Sequence, residues 1–412
     1  MSTQAPAAAQ SLLHASAVRS RAQIVLARAR ENALGHWALD EMRLPAIADY
    51  VIETTRAAYP TLDVPFHARW RHFVVAGEDR AASYKPQPPA KLIDAKAARA
   101  AFDLAIISVL LDAGAGPHWR YESREGPVLR RSEGLAVASL DMFEEGYFAA
   151  VSDDLRRADA ITLAALHVND LEDGFHVSDN NPLAGLEGRV ALLNALGRAV
   201  AARPAVFAQH DGPRPGGLYD ELARRAQNNT IAAPAILEAL LENFGSIWPS
   251  RLSLDGVPLG DCWRHPALDT QADAPGLMPF HKLSQWLAYS LIEPLQWAGI
   301  EVTDVDGLTG LPEYRNGGLF VDLGALTPRD PTALAATHEA GSEFIVEWRA
   351  LTVALLDELA RLIRQRLGMD ERSLPLAKIL EGGTWSAGRR IARERRPDGS
   401  PPVTIVSDGT IF

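Results

Sequence analysis

The chain has 412 residues, with 41 Lys and Arg against 52 Asp and Glu, a formal charge of −11 and a pI near 5.5. That balance argues against a general nucleic-acid binder, which needs a basic face, while leaving room for local basic pockets. The single cysteine, Cys262, excludes an internal disulfide and a multi-cysteine zinc site, and no apolar run approaches the ~18 residues that span a bilayer. The first sixteen residues carry no basic stretch ahead of a long apolar core, so no secretory signal is expected and the cytoplasm is the default location. Richness in Ala and Leu with 7% aromatics favours helices over sheets.

In chain order, residues 1–15 read as a flexible tail. Helices are expected from Ser16 to Leu34 and from Asp40 to Ala58, closed by Gly35 and Pro60. Val64 to Phe73 crowds His67, Arg69, Trp70, Arg71 and His72 together. Two histidines five apart make a weak metal signal, and an arginine-rich segment that helps bind a phosphate or orders a neighbouring helix fits better. Tyr84 to Ala90 is a surface loop. Asp103 to Leu111 is a short apolar run, strand or buried helix, and periodicity cannot decide. It leads into Asp112-Ala113-Gly114-Ala115-Gly116-Pro117-His118-Trp119. There Asp112 could accept hydrogen bonds and Trp119 could stack on a planar group, or the segment is simply a tight turn. An apolar run followed by Asp and glycines also resembles the phosphoribosyltransferase loop. Ser132 is a credible N-cap for a helix over Leu135 to Glu145.

Three or four helices are expected from Asp153 to Phe244. One has an apolar stripe at Leu186, Val190, Leu193, Leu196 and Val200. Arg189 and Arg214 are phosphate candidates, although a solvated or salt-bridged role is the safer reading. Asp255-Gly256 between short extended runs predicts a hairpin; Cys262 is read as structural. Asp330-Pro331 is a helix start, Glu343 to Leu367 a long helix with one apolar side and Gly368 at its end, and Asp408-Gly409 the turn of a terminal hairpin.

The chain is organised around Pro279 to Arg329. Leu283, Trp286, Leu287, Leu291 and Leu295 recur at helical spacing over His281 to Trp297. His281, Lys282 and Gln285 stand at the N-terminal end of that helix, where backbone N–H groups and partial positive charge suit an anion. Leu311-Pro312-Glu313-Tyr314-Arg315-Asn316-Gly317-Gly318 then offers a carboxylate, a guanidinium and an amide. Its Pro and paired Gly are expected to fix a turn and let backbone approach a ligand. A Glu-x-Arg pair can equally be a plain salt bridge.

The segments SVLLDAGAGPHW, RSEGLAVAS, NPLAGLEGR, PFHKLSQWL, LTGLPEYRNGG and ILEGGTWSAGR, in order from His67 to Phe412, resemble the URC-four/Urg-three family of uracil catabolism, a domain of unknown function. More distantly, Phe280-x-Lys282-x-x-Gln285 with Thr309-x-x-x-Glu313-Tyr314-Arg315 is similar to the paired motifs of queuosine salvage N-glycosidic hydrolases. Those have an aspartate where Glu313 stands, and Ser290 occupies a position where that family is expected to be acidic. The resemblance implies a mainly α fold like the helical, DNA-glycosylase-related queuosine salvage proteins, with a few short strands and a C-terminal hairpin. Residues 16–412 would form one helical catalytic domain, with 16–90 as its N-terminal extension.

It further implies hydrolysis of the N-ribosidic bond of a uracil ribonucleotide or its ring-opened ureido derivative. Glu313 would stabilise the oxocarbenium-like state, and Arg315 or Lys282 would hold a 5′-phosphate. Asp112 and Asn316 would read amide or ureido N–H groups, Trp119 would cover the leaving group, and His281, Gln285 and Tyr314 would complete the substrate site. The expected partner is a small nucleotide or ribosyl-urea-type molecule, with contacts to other uracil-pathway enzymes possible. No metal, cofactor, nucleic acid or membrane is expected. The alternatives are a uracil phosphoribosyltransferase-like enzyme or a non-enzymatic partner of another uracil-catabolic enzyme.

Overall fold

Apolar residues at helical spacing yield a mainly α chain, and every sheet among the described residues is a pair of strands two or three residues long. The structure is a computed structural model that describes residues 7–123, 126–209, 212–249, 252–270 and 273–406. Its contacts group into two compact units. The first draws on Met1–His67, Arg251–Gln285 and Asp304–Val406, the second on Ala68–Ser250 and Trp286–Thr303. Of residues 16–90, those up to His67 belong to the first unit and those from Ala68 to the second.

In the first unit the Glu343–Leu367 helix is the core. Its residues from Phe344 to Leu356 are all buried, so the expected single apolar side is replaced by burial on every face. Such burial requires a partner for each polar group. Arg349 has Asp261 at 2.8 Å, and Thr352 Oγ1 donates to the Trp348 carbonyl. The Ala15–Arg30 and Leu44–Ala58 helices pack on this core helix, and Gly368, at φ 64°, ends it as expected. Residues 7–15 correct the flexible-tail reading. Ala7–Gln10 is helical, and Ala9 and Leu12 are fully buried in a cluster with Leu259, Cys262, Ala274 and Leu277. The Ser253–Leu254 and Val257–Pro258 strands form the expected hairpin, with Asp255 and Gly256 at positive φ. Residues 407–412, with the expected terminal hairpin turn, lie outside the described residues; Thr404–Ile405 pairs in parallel with Thr337–His338.

In the second unit the ambiguous apolar run is helix, within Ala95–Leu110, and it is buried on all sides from Ala101 onward. The turn before the Leu218–Arg225 helix packs against it so closely that a Cβ on Gly216 would stand 2.3 Å from the Arg99 carbonyl. Asp103, at the centre of this helix, is ion-paired with buried Arg214 and accepts the Gly216 N–H. Arg214 is thus the salt-bridged residue of the safer reading. The next helix spans Arg131–Glu144; its N-cap is Arg130, so Ser132 lies inside and does not cap it. Pro294 interrupts the Lys282–Trp297 helix and cannot donate to the Ser290 carbonyl, and Trp70 Nε1 supplies that bond at 2.8 Å.

Candidate functional site

The first unit fixes the start of the Lys282–Trp297 helix through Asp261. The Asp261 carbonyl accepts the Phe280 and His281 N–H groups at 2.8 and 3.3 Å, and its carboxylate accepts Lys282 N at 3.0 Å. Arg349 closes a two-bond fork on the same carboxylate, both at 2.8 Å, and lies 4.0 Å over the Phe280 ring. Burial opposes ionisation of Asp261, but the Arg349 charge and the Arg349, Trp263 and Lys282 donors outweigh it and hold the carboxyl well below its usual range. His281 sits at φ 49°, buried, with Nε2 donating to the Leu12 carbonyl at 2.9 Å. Burial holds its pKa below the usual histidine value, so it is a neutral donor to backbone.

One turn later, Gln285 is wholly buried and spent on protein. Its amide nitrogen donates to the Phe280 carbonyl at 3.1 Å and Thr309 Oγ1 at 2.6 Å, and its oxygen accepts Thr309 N at 2.9 Å. Gln285 thereby clamps the segment that carries Glu313 to the helix start. Glu313 is the N-cap of the Tyr314–Asp322 helix, with Oε2 accepting Arg315 N at 2.7 Å and Oε1 accepting Asn316 N at 2.5 Å. Burial pushes its pKa above the usual carboxylate range, against the pull of those two N–H groups and of the Lys282 and Arg315 charges. The result is a half-buried carboxyl of fixed orientation that feels the positive charge of Lys282, a residue 9% exposed.

Beyond the cap, the segment expected to form a turn is helix from Tyr314 onward. Its glycines admit protein instead of ligand: a Cβ on Gly317 would stand 2.6 Å from Trp348, and one on Gly318 3.0 Å from Pro402. Arg315 is buried, donates to the Gly399 carbonyl at 2.9 Å and lies 4.8 Å over the half-buried Tyr314 ring. Asn316 is fully buried, its Nδ2 donates to the Leu311 carbonyl at 3.0 Å, and its Oδ1 meets no donor among the described residues.

Asp112 and Trp119 belong to the second unit. Trp119 is 1% exposed and donates Nε1 to the Phe175 carbonyl at 3.0 Å. It is a buried core side chain in this structure. Asp112 pairs with Arg69 at 2.9 Å. Arg69, wholly buried, also donates Nε to Ser108 Oγ at 2.7 Å and stands 5.6 Å over the Trp286 ring, while its Nη2 finds no acceptor among the described residues. Burial lowers its pKa, and the Asp112 charge opposes that shift. Ser290, where the queuosine family is expected to be acidic, accepts the Arg69 N–H at 3.0 Å. Arg189 is buried and serves carbonyls, donating to Leu111 at 3.1 Å and to Ala113 and Gly114. The apolar run before Asp112 being helix, the phosphoribosyltransferase strand-and-loop reading loses its basis. His67 bonds Glu381 at 2.7 Å in the first unit, and His72 lies 3.2 Å from Arg69 in the second.

Sequence reasoning missed the roles of Asp261 and Arg349, whose partners lie 21 and 88 residues away. It also missed a convergence of His265, Glu343 and Glu347, whose ligand atoms lie within 4.8 Å of one another.

A family model described as a protein of unknown function (DUF1688) matches residues 11–412. The chain belongs to this DUF1688 family. It is 40% identical over 410 residues to Protein urg3 of Schizosaccharomyces pombe (strain 972 / ATCC 24843), covering 97% of this chain and 98% of that protein. It is 39% identical over 412 residues to Uracil catabolism protein 4 of Lachancea kluyveri, covering 92% of each. Both relatives thus align with nearly the whole of this chain.

Proposed function

We propose that this DUF1688 protein acts in uracil catabolism, as the name of its Lachancea kluyveri relative suggests, and hydrolyses the N-ribosidic bond of a uracil ribonucleotide or its ring-opened ureido derivative. The observation that carries the chemistry is Glu313, a half-buried carboxyl held in one orientation by two backbone N–H groups. A carboxylate so held needs little reorganisation to stabilise positive charge developing at C1′. The C1′–N bond breaks with its electron pair going to nitrogen, which recovers a proton from solvent, and a water oxygen bonds C1′ from the face of Glu313 and releases one of its protons to solvent. Lys282 provides the charge for an anionic substituent such as the 5′-phosphate. Gln285 acts as a positioning residue, since its amide is committed to Thr309 and Phe280. The plain N-cap role of Glu313 is the competing account, and it predicts a stability effect without a turnover effect.

The test is incubation with UMP and with chemically ring-opened UMP, without added metal, following ribose 5-phosphate. Release from either, lost in folded Glu313→Gln, supports the reading. No release from either substrate by folded protein overturns it.

A further inference from the structure

The geometry points to a divalent transition-metal site in the first unit, formed by His265, Glu343 and Glu347, separate from the Glu313 carboxyl and its chemistry. Glu343 and Glu347 lie four apart at the start of the core helix and so share a face. Glu347 is fully buried, and its Oε1 accepts the His36 and Trp37 N–H groups at 3.1 and 2.7 Å. Its Oε2 accepts no hydrogen bond, and neither does His265 Nε2 make one, though that side chain is only 2% exposed. The two buried atoms make an ion-pair contact without a hydrogen bond, and an ion between them would satisfy both. They stand 3.4 Å apart. Ligands held at about 2.0–2.2 Å on a tetrahedral ion stand roughly 3.3–3.6 Å from each other. Glu343, with a 46% exposed side chain, brings a second carboxylate from the solvent side. It lines a cavity of about 570 Å³ together with His36, Arg329, Asp330 and His338.

One imidazole and two carboxylates suit Zn²⁺, Co²⁺ or Mn²⁺ better than Ca²⁺ or Mg²⁺, which favour all-oxygen shells. Two carboxylates balance a divalent charge, and the fourth position is left to water. Without an ion, His265 Nδ1 receives the Ala267 N–H at 3.3 Å, which puts the ring proton on Nε2 facing Glu347. Binding at Nε2 shifts that proton to Nδ1 and gives up this long contact, so micromolar affinity is expected instead of the nanomolar affinity of a preformed site.

The test uses full-length protein stripped with EDTA, dialysed and titrated with Co²⁺, following the visible absorption of the tetrahedral ion, and with Zn²⁺ by calorimetry. One equivalent is expected. Glu343→Gln should weaken binding by at least the ~10–100-fold seen on loss of an outer-shell partner, and Glu339→Gln, at an exposed neighbouring carboxylate, should leave it unchanged. X-ray absorption of the Zn²⁺-loaded wild type supplies a readout independent of any variant, with one imidazole, oxygen ligands and no sulfur expected. Absence of saturable uptake, binding undiminished in Glu343→Gln, or a shell with sulfur or several imidazoles each overturns the site.

Discussion

Replacing Glu313 with Gln separates two roles that meet in one side chain. The two carboxylate oxygens accept Arg315 N at 2.7 Å and Asn316 N at 2.5 Å. Gln keeps one carbonyl oxygen, so one of those N–H groups faces an amide NH₂, and loss of such a cap bond costs about 1–2 kcal/mol. The substitution also removes a carboxylate whose burial disfavours its charge, which offsets part of the loss. The net change at neutral pH is therefore expected within about 1 kcal/mol, or about 2–3 °C in Tm for a cooperative unit of some two hundred residues. Turnover, which depends on the missing negative charge, should fall by about 10²–10³ or more.

The pH dependence gives a second check. Because the folded pKa of Glu313 is raised, the group favours folding fully below the ordinary glutamate range, and that contribution is lost as pH rises through the raised value. The wild-type advantage over Glu313→Gln should therefore shrink with rising pH, while activity should rise as Glu313 ionises. Ribose 5-phosphate release and thermal unfolding, measured on the same samples across pH, decide the matter. Turnover within tenfold of wild type, or a loss that merely follows unfolding, would refute a catalytic Glu313.

Asp261→Asn should leave the Arg349 guanidinium buried without its counter-charge and cost about 3–5 kcal/mol in urea unfolding at pH 7. Since the folded pKa of Asp261 is depressed, its contribution is present above the ordinary aspartate range and drains as pH falls below it, so the variant should lack that acid-side slope; an unchanged slope would contradict the assignment. Gly388→Ala would put a Cβ 2.1 Å from the Arg315 carbonyl oxygen, a backbone atom that cannot swing aside, and should destabilise by about 1–3 kcal/mol or more. Equal stability to wild type would show that the two helices have room to separate. Burial, reinforced by the Asp261 charge, pushes the Cys262 thiol up to about 12, so iodoacetamide at pH 8 should label it only after unfolding. Rapid native-state labelling would contradict that.

Local rules were enough wherever a feature depends on neighbours in the chain. The Glu343–Leu367 helix with its glycine stop, the hairpin at Asp255-Gly256 and the helix before Gly299 follow from spacing and turn chemistry that a few residues carry. The placement of Lys282 at a helix start and of Glu313 beside Arg315 and Asn316 was equally visible. Burial was not. The sequence could not tell that Trp119 is sealed in the core, that Gln285 is consumed by Thr309, or that the glycines after Asn316 receive Trp348 and Pro402, because each depends on a partner distant along the chain. Nor could it show that Ala9 and Leu12 anchor the N-terminal segment against Leu259 and Cys262.

The sequence by itself determined the family, the mainly α character, and the residue types that stand at the carboxylate and lysine positions. Only the tertiary structure decided which polar groups are left to meet a ligand. Desolvation and hydrogen-bond satisfaction are properties of the packed interior, so Arg349 settles the charge of Asp261, backbone donors orient Glu313, and His265 comes to face Glu347 only once the chain has folded.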